Sequence, residues 1–419
     1  MNVYKFGGAS INSIERIKNT GKIIADTNEK VLVVISAMGK TTNALEKVVD
    51  AFFDNRQEEA IRLFEAVKQS HLNVLKYLVV LQWAAAESRL KDFFTEISWM
   101  LHDKPVRSYD YYYDQIVCVG ELLSSNIFSF YLSEEKINNK WIDARDIIRT
   151  DNNFRDAAIE WDITSKKISE DILPLFDYYD VIITQGFIGA TDENESTTLG
   201  REGSDYTAAI FANLLPAKSV TIWKDVEAVM SADPRQFPDA VNISALSYKE
   251  VIEMAYYGAQ VIHPKTIKPL QNKNIPLFVK SFIDPALPGT MITQSISKNL
   301  PPVIVMKQNQ VLISFRTKDF SFVEDEPIAQ LHELFQKLKI KSNLSQHTAI
   351  SLLCCFDEHA EKIGELATES SLLFDVEVER GLTLLTIRHY DEGILKKLTA
   401  EKKVVLEQRT METVQVLMR

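Results

Sequence analysis

The chain has fewer basic than acidic residues, and very few cysteines. Its 58 acidic residues outnumber 47 lysines and arginines, which gives a formal net charge of −11 over 419 residues. This balance argues against nucleic acid or an anionic membrane surface as the main partner. Three cysteines are an odd and sparse set, typical of a reducing compartment. We therefore expect a cytoplasmic protein.

Metal-binding and membrane signals are also missing from the sequence. The seven histidines are scattered, without the spacing of metal ligands, so we expect no metal site built by protein side chains. The first residues carry no apolar signal region. No apolar run approaches the length of a membrane span. A chain of 419 residues is longer than one hydrophobic core usually accommodates, so two or three domains are expected.

Residues 1–300 alternate strand and helix signals. The predicted strands are Val3–Phe6, Val31–Ser36, 180–185, 219–224 and 276–282. Residues 43–102, which contain no glycine or proline, are predicted to be a helical insertion, and residues 110–135 another helix. This alternation is typical of an α/β fold with a doubly wound, mostly parallel sheet. In such sheets ligands bind beyond the carboxyl ends of the strands.

The pattern changes after residues 284–302, a stretch rich in proline that indicates a domain boundary. Residues 310–380 follow the order strand, helix, strand, strand, helix, strand, which is a ferredoxin-like α+β arrangement. Strand, helix, strand and strand follow over residues 383–418. We therefore divide the chain into a catalytic domain 1–298 with a largely helical insertion 43–135, a first small unit 303–380, and a second, partial or interlocked unit 381–419.

The most informative stretch is residues 197–209, Thr-Thr-Leu-Gly-Arg-Glu-Gly-Ser-Asp-Tyr-Thr-Ala-Ala. A helix is predicted to begin at about Ser204. A guanidinium such as that of Arg201 suits a carboxylate or phosphate, and a helix N-terminus offers free N–H groups to an anion. The stretch therefore predicts an anion site, with a helix cap beside a surface arginine as the alternative.

Three other segments carry candidate chemistry. Lys5 lies at a strand end beside Gly7-Gly8, where backbone N–H groups can approach phosphate oxygens, with an exposed lysine before a tight turn as the alternative. Residues 36–43 contain Gly-Lys-Thr, but this is not a P-loop, because that motif needs a glycine where Val34 stands. Glu121 lies in an apolar helix, where it could receive a substrate ammonium or make a structural bond.

Two later segments are less specific when taken alone. Trp223–Val226, followed by Ala232–Arg235, begins at a strand end and continues into a loop. Gly258–Pro264 leads into a helix with proline in its first turn. His263 is predicted to be a capping or core histidine, with a general base as the alternative.

Together these segments resemble the aspartate kinases of the amino acid kinase family, over most of residues 1–300. The matching segments, in the family's order, are Lys5–Ser10, Ser36–Asn43, Gly120-Glu121, Leu199–Ala208, Trp223–Val226, Asp233–Arg235 and Gly258–Pro264. The tail resembles paired ACT domains in the order of its elements. The resemblance implies transfer of the γ-phosphoryl group of ATP, with Mg²⁺, to the β-carboxylate of L-aspartate. The product, 4-phospho-L-aspartate, would feed lysine, threonine and methionine synthesis.

The resemblance also implies site residues. Arg201 would bind the substrate α-carboxylate and Glu121 its ammonium, with Thr42 and Ser204 as further substrate contacts. The implied catalytic residues are Lys5 and Asp205. The residues implied at the nucleotide are Lys5, Gly7, Gly8, Ser10, Lys224, Asp225, Met230, Arg235 and Gln260.

Several positions depart from the family pattern. They are Ala9 for threonine, Glu202 for glycine or asparagine, Ala228 for glycine, Met230 for tyrosine and Gln260 for lysine. The last change removes a cation from the ATP phosphates, for which Lys224 or Lys265 could compensate. Glu202 adds an acid beside Arg201.

Regulation and assembly are further expectations from the resemblance. The tail implies feedback by an amino acid, lysine first and threonine second, and a homodimer or a dimer of dimers. One alternative is a sister kinase acting on glutamate or N-acetylglutamate, although an N-acylated substrate has no ammonium for Glu121. The other is a sensor that binds amino acids without catalysis.

Overall fold

The computed structural model describes residues 1–259, 261–295, 300–319, 322 and 325–419. These residues form two compact units. The first consists of Met1–Val229, Asn242–Ile252 and the described part of Gln260–Ser297, and the second of Met230–Val241, Glu253–Ala259 and the described part of Lys298–Arg419. Two short segments of the expected catalytic domain 1–298 therefore group with the second unit.

The helices and strands up to residue 300 follow the expected alternation. In chain order they are β1 (Asn2–Phe6), α1 (Ile14–Ala25), β2 (Val31–Ile35), α2 (Thr41–Phe53), α3 (Gln57–Leu78), α4 (Trp83–His102), α5 (Tyr109–Val117), α6 (Val119–Glu134), β3 (Asn139–Trp141), α7 (Ala144–Ile147), α8 (Trp161–Lys167), β4 (Val181–Gln185), β5 (Ile188–Ala190), β6 (Ser196–Thr198), α9 (Gly203–Leu214), β7 (Ser219–Lys224), β8 (Val229–Met230), β9 (Asn242–Ile243), β10 (Ala245–Ser247), α10 (Tyr248–Tyr256), α11 (Pro264–Asn272), β11 (Leu277–Ser281) and β12 (Thr290–Thr293).

The main sheet has the strand order β10-β12-β11-β7-β1-β2-β4-β3. From β11 to β3 every neighbouring pair is parallel, whereas β12 runs antiparallel to β11. Every residue of β2 and β4 is buried, as continuous apolar runs in a covered parallel sheet should be. The predicted α/β class with a mostly parallel sheet is confirmed.

The predicted helical segments are more divided than the sequence indicated. Residues 43–102 contain most of α2 and all of α3 and α4, joined by short connections at 54–56 and 79–82, and the predicted helix 110–135 is divided at Cys118 into α5 and α6. Tyr109–Glu134 has the length and composition to cross a membrane, contrary to our expectation from the sequence, but 89% of its apolar window is buried inside the protein. Burial of this kind is the usual setting of a core helix.

The elements of the tail are β13 (Val303–Thr317), α12 (Asp325–Lys337), β14 (Leu344–His347), β15 (Ser351–Asp357), α13 (Ala360–Ser370), β16 (Phe374–Arg388), α14 (Glu392–Thr399), β17 (Val404–Arg409) and β18 (Thr413–Met418). The strands form one antiparallel sheet in the order β14-β15-β13-β16-β18-β17. The expected boundary at residues 380 and 381 lies inside β16. There Gly381 has φ +72° opposite a register irregularity with β13, so the chain passes through a bulge instead of a turn.

Candidate active site

A cleft of about 520 Å³ opens at the carboxyl ends of β1, β2 and β7, which is where ligands bind in parallel sheets. The sequence-predicted residues that line it are Lys5, Gly8, Thr42, Glu121, Arg201, Ser204, Asp205 and Lys224. The structure thus brings together residues that are separated by more than two hundred positions in the chain.

Lys5 and Asp205 form a buried ion pair at the cleft floor. The Lys5 Nζ lies 2.6 Å from Asp205 Oδ1, in the first turn of α9. Burial acts to raise the pKa of Asp205, but the positive charges of Lys5 and Lys224 outweigh it and hold that pKa below its ordinary value. Asp205 therefore stays ionised and fixes the Lys5 ammonium at the end of β1.

Glu121 presents an unpaired carboxylate oxygen. Its Oε1 accepts a hydrogen bond of 3.1 Å from the Ala37 N–H, whereas its buried Oε2 has no hydrogen-bond partner among the residues that the structure describes. Burial raises the pKa of Glu121 to about 8, against the opposing effects of the Ala37 N–H and the Lys5 charge. A buried acceptor without a partner is costly, and a ligand ammonium would satisfy it.

The glycine pair after β1 lets two backbone segments approach closely. The Gly39 N–H donates to the Gly8 carbonyl at 3.1 Å, and a Cβ on Gly8 would lie 2.7 Å from the Ala37 oxygen. Ser10 is buried, and its Oγ donates to the Gly7 carbonyl at 2.8 Å. Ser10 therefore holds the turn, and neither it nor Gly7 is among the residues that line the cleft.

Arg201 is exposed at the cleft wall, in the turn before α9. Among the described residues its guanidinium has no hydrogen bond or ion pair, so it is available to a ligand anion. Glu202 does not pair with it, because Glu202 Oε2 accepts a 2.9 Å hydrogen bond from the His263 N–H. The His263 side chain caps α11 by accepting from the Lys265 N–H at 3.2 Å, so the prediction of a capping histidine is confirmed.

The two lysines considered as replacements for a cation at position 260 have different surroundings. Lys224 lines the cleft, and its Nζ donates to the Val261 carbonyl at 2.7 Å. Lys265 forms an ion pair with Asp156. Lys224 is therefore the lysine whose charge faces the cleft without a direct carboxylate partner among the described residues.

The remaining residues implied at the nucleotide are not among those that line the cleft, or they are not described. Asp225 is exposed just after β7 and does not line the cleft. Met230 and Arg235 belong to the second unit, where Arg235 is exposed and bonds to Asp233. Gln260 lies outside the described residues.

Sequence reasoning missed several cleft residues. These are Tyr113, Arg155 and Phe187, whereas Ser36 and Ala37 at the cleft belong to the predicted segment 36–43. It also missed Asp114, a buried carboxylate that accepts from the Arg155 N–H at 3.0 Å and from the Thr198 N–H at 2.8 Å. Burial raises the pKa of Asp114 to about 6, although its hydrogen bonds act in the opposite direction. An acid in an apolar helix, the signal that identified Glu121, could have identified Asp114.

With this geometry established, comparison with known proteins gives the family. The amino acid kinase family model matches residues 1–281. The chain belongs to the amino acid kinase family. It is 28% identical over 395 residues to lysine-sensitive aspartokinase 3 of Escherichia coli (strain K12), covering 92% of this chain and 86% of that one.

Another relative is much longer than this chain. Over 296 residues the chain is 35% identical to the chloroplastic bifunctional aspartokinase/homoserine dehydrogenase 1 of Zea mays, covering 70% of this chain and 32% of that protein. The chain thus spans about a third of the length of that relative.

Two solved structures of E. coli aspartokinase III share the fold. The complex with aspartate and ADP has a TM-score of 0.81 and 26% identity, covering 100% of this chain and 96% of that one. The complex with lysine and aspartate has a TM-score of 0.82 and 26% identity, covering 100% and 95%. The resemblance to aspartate kinases predicted from the motifs is confirmed.

Proposed function

We propose that this chain is an aspartate kinase, which transfers the γ-phosphoryl group of ATP to the β-carboxylate of L-aspartate and forms 4-phospho-L-aspartate. The observation that carries the proposal is that one cleft contains both the free Arg201 guanidinium and the Glu121 oxygen that has no hydrogen-bond partner among the described residues. These two groups match the carboxylate and the ammonium of an α-amino acid. The E. coli aspartokinase III structure with aspartate and ADP supports the same assignment.

The substrate is held by the two charged groups on its α-carbon. Arg201 binds the α-carboxylate, because a guanidinium can donate two parallel hydrogen bonds to it. Glu121 Oε2 accepts from the ammonium. Thr42 and Ser204, which also line the cleft, supply hydroxyl groups around the substrate.

The phosphoryl group is transferred to a nucleophile that needs no base. The substrate β-carboxylate is already ionised at neutral pH, so catalysis consists of positioning and charge stabilisation. Lys5 neutralises charge on the transferring group, and Asp205 holds its ammonium in place. The backbone at Gly8 approaches the phosphates, and Lys224 supplies a second positive charge.

The described residues suit a Mg²⁺ that arrives with the nucleotide. They contain no group of three or more His, Cys, Asp or Glu that could hold a metal by itself. Mg²⁺ commonly binds through substrate phosphates and one or two carboxylates. When bound, it would neutralise phosphate charge, and Asp205 is the carboxylate available at the cleft floor.

Regulation by lysine belongs to the proposal. The E. coli relative is named lysine-sensitive, and one of its structures contains lysine, which supports lysine as the first effector to test and threonine as the second. We propose pairing through the second unit, as a homodimer or a dimer of dimers. Three buried free cysteines support a cytoplasmic location.

The decisive experiment traps the acyl phosphate. The protein is incubated with MgATP, hydroxylamine and either aspartate, glutamate or N-acetylglutamate, and hydroxamate is measured. We expect hydroxamate with aspartate alone, and less of it at millimolar lysine. Product with glutamate or N-acetylglutamate instead would identify a sister kinase. No product with any of the three would favour a non-catalytic sensor.

A further inference from the structure

Both neighbours of Arg201 adopt left-handed backbone conformations. Gly200 has φ +76°, and Glu202 has φ +55° and ψ 28°. Glycine adopts this region without strain, whereas a residue with a Cβ does so at an energetic cost. Glu202 therefore adopts a conformation that costs energy, within a turn that the Gly203 N–H closes by donating to the Gly200 carbonyl at 3.0 Å.

The Glu202 side chain adds a second restraint on this turn. Its Oε2 accepts a 2.9 Å hydrogen bond from the His263 N–H, across 61 positions of sequence. His263 directly precedes Pro264, the first residue of α11. A carboxylate at a helix N-terminus is favoured by the helix dipole, and a charged acceptor strengthens the hydrogen bond.

The first turn of α11 is also linked, through Asp156, to Gly200 on the other side of Arg201. Lys265 forms an ion pair with Asp156. The Asp156 side chain in turn lies against Gly200, where an added Cβ would come within 2.7 Å of its Oδ1. The backbone on each side of Arg201 is thus fixed to α11, directly through Glu202 and indirectly through Asp156.

We propose that Glu202 is a positioning residue, whose bond to the His263 N–H aims Arg201 at the substrate carboxylate and keeps the extra acid away from the guanidinium. Because Arg201 has no partner among the residues described, its direction depends on the backbone on either side of it. This proposal rests on the proposed function, because it assigns a role within the same amino-acid site.

Paired variants isolate the bond. Glu202→Gly removes the acceptor and also relieves the backbone strain, whereas Glu202→Gln keeps an acceptor of the same size. His263→Pro removes the donor N–H, and the native φ of −69° and ψ of 140° suit proline. His263→Ala keeps the N–H but loses the side-chain cap, so it controls for the loss of the imidazole.

We expect Glu202→Gly and His263→Pro each to raise the KM for aspartate about tenfold, while the KM for ATP changes less than about twofold. Glu202→Gln and His263→Ala should stay within about threefold of the wild type. The double variant Glu202→Gly/His263→Pro should have no higher KM for aspartate than either single variant, because both substitutions remove the same hydrogen bond. An unchanged aspartate KM in Glu202→Gly, or an equal rise in both KM values, would overturn the proposal.

Amide hydrogen exchange separates this proposal from the proposed function. Residues 199–203 and 261–265 should exchange faster in Glu202→Gly than in Glu202→Gln, whatever the substrate is. If the wild type forms no hydroxamate with aspartate, the proposed function fails, and exchange still decides whether the bond exists. Equal exchange in the two variants would overturn the positioning role.

Discussion

The pKa values of two carboxylates in one cleft are shifted in opposite directions because their neighbours differ. Lys5 and Lys224 hold the pKa of Asp205 below its ordinary value, although its burial acts to raise it. Burial dominates at Glu121 and raises its pKa to about 8. Near neutral pH, Asp205 is charged, whereas Glu121 is mostly protonated until a cation arrives. The first group can act as a permanent anchor, and the second becomes charged when the substrate ammonium binds.

This difference predicts a pH-dependent affinity for aspartate. The ammonium binds the ionised form of Glu121, so the KM for aspartate should fall as the pH rises from 6 towards about 8 and then level off. The slope should approach about tenfold per pH unit below the pKa. The measurement is hydroxamate formation against aspartate concentration at each pH.

The controls for this prediction are a variant and the second substrate. Glu121→Gln should bind aspartate weakly and lose the slope, because an amide does not titrate in this range. The KM for ATP should lack the same slope. A flat aspartate profile in the wild type would contradict the role of Glu121 as the ammonium acceptor.

The surroundings of Lys224 and Lys265 predict unequal effects on nucleotide binding. Lys224→Gln removes a charge that faces the cleft, and we expect the KM for ATP to rise about tenfold. Lys265→Gln removes a charge that Asp156 already compensates, so the KM for ATP should change less than about twofold. Equal effects of the two substitutions on the KM for ATP would argue against Lys224 as the second phosphate-binding cation.

The turn between β1 and α1 gives a test at the level of a single loop. In Gly8→Ala the added Cβ would meet the Ala37 carbonyl at 2.7 Å and the Gly39 carbonyl at 2.9 Å, so the backbone must move. In Gly7→Ala the Cβ would meet only the flexible end of Lys5, at 3.4 Å.

We expect Gly8→Ala to lower kcat by at least about tenfold, because misplacing backbone near the transferring group weakens charge stabilisation. Gly7→Ala should keep most of the activity, since its φ of −77° suits alanine. Hydroxamate rates at saturating substrates give both values, and circular dichroism checks that each variant folds. Comparable losses of kcat in the two folded variants would show that the close backbone approach at Gly8 is not the cause of the loss.

Strand and helix ends were predictable where local chemistry decides them. The β7 strand was predicted at 219–224 and found there, and α9 begins one residue before the predicted Ser204. Long-range partners were not predictable in this way. The donor to Glu202 lies 61 positions away, and Arg155 reaches the cleft through a loop without a local signal. The break between α5 and α6 at Cys118 was not predictable either, because no glycine or proline stands at that position.

The tail shows why domain boundaries within a shared sheet are hard to read. Arg380-Gly381 resembles a turn in sequence, but β16 continues through it as a strand of 15 residues. The two halves of the tail also share a buried cluster. It contains Leu312, Leu344 and Cys355 from the first half and Leu382, Leu384 and Leu417 from the second. The expected units 303–380 and 381–419 therefore share one sheet and part of one core.

Removing the second half should therefore destabilise the first. A chain ending at residue 380 loses half of β16 and all of β18, and it exposes Leu312 and Leu344 to water. We expect a lower unfolding midpoint and increased binding of a hydrophobic dye. Leu384→Ala in the full chain should reproduce part of the effect, at a cost of about 2–5 kcal/mol, whereas removing only the exposed Arg419 should have little effect. A protein truncated at residue 380 that unfolds at the same midpoint as the full chain would instead show that 303–380 is an independent folding unit.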